Sequence, residues 1–273
     1  MKNYKSILAA LVCSAVASVA ITASAQDTKQ GFVTIVRTEG IVTYSLGVGQ
    51  PERPLVAGEV LAPGSIIFTK DNAMADIVLG KFVSFPQAAW APNRISMAPD
   101  APVRGYITYR PSADQNAVRI TQNSTLAIDK LRVADTGADT VSDTELDLKQ
   151  GKIFASVRKL SGASQYIVKL PSGVAGVRGT LFSIGVDGSV ACYESTGGGV
   201  ILALTLQTGA TKTFLVEPGQ FFNPGNGSPT PLSPEILSLL SNVFKALRTS
   251  YYAAVNFDFD HTQTHITPTS GTF

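Results

Sequence analysis

Apolar and polar residues alternate along most of this chain in short bursts, and glycine or Pro-Gly pairs close each burst. Gly31 to Tyr44 (GFVTIVRTEGIVTY) predicts two strands broken at Glu39-Gly40. Gly58-Glu59-Val60-Leu61 leads into a Pro63-Gly64 turn, and Ser65 to Thr69 and Ala73 to Leu79 each predict one more strand. Ala117 to Leu131 predicts a hairpin turning at Asn123-Ser124. Ala134 to Asp143 predicts a polar loop. From Glu145 to Val157 two strands meet at Gln150-Gly151, with Leu146, Leu148, Ile153, Ala155 and Val157 as inward positions. Ser189 to Tyr193, Val200 to Leu206 and Lys212 to Val216 continue the rhythm. No helical period interrupts it, so the body of the chain is expected to be all-β. Evenly punctuated strands suit either a solenoid or a sandwich.

Residues 224–234, rich in Gly, Pro, Asn and Ser, end the β pattern as a linker. Ser233 is placed to cap a helix, with Pro234 and Glu235 in its first turn. Ile236, Leu237, Leu240, Val243, Phe244 and Leu247 recur at three- and four-residue steps, which predicts one amphipathic helix over 235–252. That helix is expected to cover an open end of the β-domain and shield edge strands. A polar tail, 253–273, follows.

One stretch is unlike the rest. Residues 81–115 hold Trp90, Tyr106, Tyr109 and Arg110 among repeated prolines, and 35 residues without a strand pattern is far beyond a usual loop. Aromatic residues and arginine are what binding surfaces favour, so Trp90, Tyr106, Tyr109 and Arg110 are candidate partner-binding residues. The bland alternative is a cover for one end of the core.

Tyr166 to Ile184 (YIVKLPSGVAGVRGTLFSI) is the other distinctive segment. Tyr166, Val168 and Leu170 alternate as a strand, and Gly173, Gly176 and Gly179 are spaced to let the backbone turn or approach another segment closely. Thr180 to Ile184 then resumes an extended run. Arg178 stands alone among small and apolar residues, where an unpaired charge is costly, so it is expected to lie against carbonyls or a carboxylate and tie down a β-corner. PSGVAGVRGTLFSI resembles the signature of the FecR-type domain, and TELDLKQGKIFASVRKL resembles the strand pair that precedes it in that family. The pieces GIVTY, GEVLAPGSIIFT and ADIVL are similar to the family's opening strands, and Pro218-Gly219-Gln220 to its closing element. The resemblance implies a FecR-like β-domain over 26–223, a twisted β-solenoid or sandwich-like fold, with Gly176, Val177, Arg178, Gly179, Thr180 and Phe182 as a structural motif. It implies an exported, non-enzymatic module that binds or scaffolds a protein or cell-envelope (glycan) ligand, or a periplasmic signalling regulator.

Met1 to Ala25 has the Lys2 and Lys5 start, the apolar run and the Ala23-Ser24-Ala25 end of a secretory signal peptide. Export to the bacterial periplasm or beyond is therefore expected, with no stable membrane span after cleavage. The chain has 22 basic residues, two of them Lys2 and Lys5, against 20 acidic ones, so what remains is formally neutral and offers no field for nucleic acid. Cleavage leaves Cys192 alone, which excludes an intramolecular disulfide. His261 and His265 both fall in the tail, beside Asp258 and Asp260, in a sequence unsuited to a helix that would align them on a metal. No histidine is left for a core nucleophile, no phosphate-cradling loop is present, and a hydrolase would need carboxylates alone. No catalytic residue, cofactor or metal site is expected.

Overall fold

The computed structural model describes residues 28–80, 116–135, 139–205 and 209–255. The leader, the aromatic segment 81–115 and the tail beyond 255 lie outside the described residues, and with them Trp90, Tyr106, Tyr109, Arg110, His261 and His265.

The described chain is mostly strand. In order they are β1 (Lys29–Gln30), β2 (Phe32–Glu39), β3 (Val42–Ser45), β4 (Arg53–Pro54), β5 (Val60–Leu61), β6 (Ile66–Thr69) and β7 (Met74–Gly80). Then come β8 (Asn116–Ile120), β9 (Thr125–Asp135), β10 (Thr140–Gln150), β11 (Lys152–Ser156), β12 (Gln165–Leu170) and β13 (Gly173–Val177). The last are β14 (Thr180–Gly185), β15 (Val190–Ser195), β16 (Val200–Thr205), β17 (Thr211–Val216), β18 (Gln220–Phe222) and β19 (Thr230–Pro231). A helix, α1 (Pro234–Val255), follows.

They form two sheets. The first runs β17-β16-β13-β12-β10-β9-β6-β3-β4, with β1 joined to β9, and the second runs β19-β18-β15-β14-β11-β8-β7-β2-β5. Every pairing is antiparallel except β10 with β12. The inward residues of both sheets, among them Ile35, Ile77, Ile120, Leu126, Leu146, Leu148, Val168 and Phe182, make one continuous core. Burying them is the main favourable term of the fold. All-β character is therefore as the alternation predicts. No closed barrel or solenoid is found among the described strands: the chain lays hairpins alternately into two facing sheets.

Local chemistry sets the corners. Asn72 (φ 52°) and Asn123 (φ 53°) take left-handed turns, and the Asn123 side chain donates to Asp71 Oδ1 at 2.7 Å. One expectation about a loop needs correction. The polar stretch 134–143 is strand at both ends, because β9 and β10 pair through Asp135 and Thr140, and residues 136–138 lie outside the described residues. Of the two roles open to its glycines, a turn or a close approach, the Gly173–Val177 segment takes the second, as a strand in the middle of its sheet. Gly173 is needed there for proximity: a Cβ would sit 2.1 Å from the Ala203 carbonyl oxygen.

Ser233 Oγ accepts from the Ile236 amide at 3.4 Å and starts α1. The helix does not shield an edge. Leu240, Phe244 and Leu247, all buried, lie with Val78, Ala117, Leu181 and Ala191 on the outward face of the second sheet. Phe244 stacks on Tyr193 at 5.6 Å between centroids and meets Phe154 edge-on at 6.2 Å. Apart from one ion pair between β7 and β8, that face is largely apolar along β7, β8, β14 and β15, and a face yields more area to a helix than an edge does.

Candidate functional site

The corner between β13 and β14 carries Arg178 and Gly179 across from one sheet to the other. Arg178 donates through one terminal nitrogen to the carbonyls of Ser161 (3.0 Å) and Gly162 (2.6 Å), fastening the loop that precedes β12. Gly179 has φ 79°, and a Cβ there would meet Lys159 Cα at 2.9 Å and Thr196 Oγ1 at 2.6 Å. The Gly179 carbonyl accepts from Thr196 N (2.8 Å), Thr196 Oγ1 (3.2 Å) and Ser195 Oγ (3.2 Å). Thr180 is buried, its hydroxyl 3.0 Å from Ser195 Oγ. Ser195 Oγ also accepts from the amides of Gly197 and Gly199, which binds the β15–β16 crossing to the β13–β14 crossing. Val177 and Phe182 point into the core. Gly176 lies opposite Ile201 on the outward face. Thus Arg178, Gly179 and Thr180 are brought together at one corner, and one Arg178 terminal nitrogen, the Gly179 carbonyl and the Thr180 hydroxyl all help to hold it. Ser195 and Thr196 complete the corner, and sequence reasoning did not single them out.

A second polar feature was also missed. Asp76 and Arg119 lie directly opposite on β7 and β8, both buried on the face that α1 covers. Nε and a terminal nitrogen of Arg119 each donate to one Asp76 oxygen at 2.7 Å. That bond to Asp76 holds the Arg119 guanidinium more firmly protonated than usual. The signal was there: Asp76 and Arg119 each interrupt an apolar strand, as Arg178 does.

The outward face of the first sheet is divided. Over β9, β10 and β12, Lys169 meets Glu145 (2.8 Å) and Asp129 (3.2 Å), Lys130 meets Asp143 and Glu145, and Lys149 meets Asp147 (2.8 Å). The Lys169 ammonium holds the Glu145 carboxyl below its ordinary range, while Asp143 beside Lys130, and Glu145 and Asp129 beside Lys169, hold those ammoniums above theirs. Towards β17 the face turns apolar. Val174, Ile201 and Leu215 are 37%, 55% and 49% exposed, and Ile201 pairs directly with Leu215.

The chemical inventory is thin. Cys192 is buried in the core, and burial pushes its thiol up to about 12, far from a reactive thiolate. The Tyr166 hydroxyl is fully enclosed, which shifts its ionisation upward. Among the described residues no group of three His, Cys, Asp or Glu side chains is assembled that could hold a metal ion. No described helix is long and apolar enough to cross a membrane.

Residues 108–200 match the family model described as FecR protein, which spans β8 through the start of β16 and includes the Arg178 corner. No curated protein and no solved structure matches the chain.

Proposed function

We propose that the chain is a FecR-type regulatory module of the bacterial cell envelope, which acts by binding another protein and performs no chemistry of its own. The observation that carries this reading is the FecR match over residues 108–200. The use of the Arg178, Gly179 and Thr180 polar groups in holding a corner supports a scaffold role for the motif. The leader-like Met1 to Ala25 supports a periplasmic or secreted location. Aromatic and arginine side chains at Trp90, Tyr106, Tyr109 and Arg110 make the 81–115 segment one candidate contact for a protein or glycan of the envelope.

The test is a crosslinking capture from the native envelope, comparing the full chain with an 81–115 deletion that still folds. A membrane or signalling protein captured by the full chain supports the regulatory reading. Its loss in the deletion assigns contact to the aromatic segment. Capture of no protein by either form overturns the protein-binding reading.

A further inference from the structure

Among the described strands, the paths of the two sheets end in four strands, with the two-residue β1 off the path, and three of the four are cut short. β4, β5 and β19 are two residues long, and β4 and β19 each contain a proline. Short edges and proline are common ways of stopping a sheet from pairing further. β17 differs: it has six residues, Thr211 to Val216, no proline, and among the described residues it pairs with β16 alone.

Its hydrogen-bonding sense follows from one bond. Thr205 N donates to Ser172 O at 2.8 Å, so Thr205, Ala203 and Ile201 direct their main-chain groups towards β13. Leu204, Leu202 and Val200 therefore bond to their opposites Lys212, Phe214 and Val216. The amides and carbonyls of Thr211, Thr213 and Leu215 face outward, three ladder positions at an edge that no other described strand pairs with.

The side chains give that edge a character on each face. Outward, Leu215 continues the exposed apolar row through Ile201. On the other face, Phe214 packs against Phe222 at 4.4 Å between centroids, and Lys212 stands exposed beyond it with no ion-pair partner among the described residues. We infer that the free edge of β17 takes an extended strand of a partner protein, with acidic side chains on the face that meets Lys212 and apolar ones on the face that continues Ile201 and Leu215. This deepens the protein-binding reading above and rests on it. Strand addition draws affinity from the main-chain ladder and selectivity from alternate side chains. A second copy is a poor occupant, because a two-fold antiparallel pairing sets both Lys212 ammoniums on one face of the joined sheet. A lysine directed that way on an edge is a known guard against self-pairing.

The probe is a fluorescein-labelled nine-residue peptide alternating Val and Glu, titrated by anisotropy against the full chain, beside a Val/Lys peptide of equal length. The acidic peptide should bind saturably and the basic one at least about tenfold more weakly. Thr213→Pro removes an amide that faces outward and takes no part in the β16 ladder, so it should weaken the acidic peptide by about tenfold or more while leaving the melting temperature near the parent's. Lys212→Glu, independent of any backbone effect, should reverse the order of the two peptides. Equal binding of both peptides by parent and Thr213→Pro overturns the inference. So does a concentration-dependent dimer that Thr213→Pro abolishes. An envelope partner crosslinked equally by parent and Thr213→Pro overturns it too, yet leaves the protein-binding function standing.

Discussion

Replacing Arg119 with methionine keeps much of its apolar stem and removes its charge, leaving Asp76 as a carboxylate only 1% exposed beneath α1 with both short guanidinium bonds gone. Breaking a buried pair from one side costs about 3–5 kcal/mol, because the remaining charge is neither solvated nor matched. For a domain of this size each kcal/mol lowers the melting temperature by about 2–4 °C, so the fall should be about 6–20 °C. Asp76→Leu alone should cost a similar amount, by stranding the guanidinium. The pair replaced together, Asp76→Leu with Arg119→Met, removes both charges from a face already lined by Val78, Ala117 and Phe154, and should return to within about 1–2 kcal/mol of the parent. Urea titrations followed by circular dichroism give the four stabilities, and the coupling energy between the two sites should exceed about 2 kcal/mol. Two single variants costing less than about 1 kcal/mol each, with an additive double, would refute the reasoning and show that water reaches the pair.

Gly179→Ala should destabilise by about 2 kcal/mol or more, since it adds strain at φ 79° to a contact with Lys159 backbone that cannot give way; a melting curve unchanged within error would sink this. Arg178→Ala should cost about 1 kcal/mol, as its two carbonyl bonds are solvent-exposed, and circular dichroism should show the fold intact; partner capture lost without any fall in stability would move Arg178 into a binding site. Cys192 should resist a thiol reagent at pH 8 in the native protein, because its thiol, raised to about 12, stays protonated there; rapid modification mapped to the Cys192 peptide would contradict its burial. Phe244→Ala should cost about 3–5 kcal/mol through its contacts with Tyr193 and Phe154, and limited proteolysis should then cut within α1 before the sheets; uniform resistance would argue that the helix is held elsewhere.

Much of the fold was legible because period-two alternation is a local signal. Leu146, Leu148, Ile153 and Ala155 alternate in sequence and are all buried, and Gly151 turns between them at φ 80°. The capped helix was legible for the same reason. What alternation leaves open is pairing. Nothing local says that β6 lies beside β9, or that β10 and β12 run parallel across β11. In the Gly173–Val177 run glycine permits either a turn or a close approach, and only the pairing with β16 selects close approach of strands. The seat of the helix is not legible, because the outward apolar face of β7, β8 and β14 shows only as runs of continuous hydrophobicity, and such runs mark a strand buried on both sides without naming its cover. At the corner, Arg178 signalled its need for carbonyls, but Ser195 and Thr196, which brace the same turn, are ordinary polar residues in sequence.

The position of α1 bears on how the molecule comes apart. Both sheets are assembled nearly in chain order, each hairpin laid beside the one before. Such a linear array, left to itself, frays from its ends, because each unit is held only by its neighbours. The helix, last of the described elements, touches β15, β11, β8, β7 and β2, and so ties strands formed from both halves of the chain into one cross-member. Loss of the first strands then costs the last helix its seat, and loss of the helix uncovers strands from both halves. A row of locally stable hairpins becomes a single cooperative unit, in which neither end can open without being felt at the other.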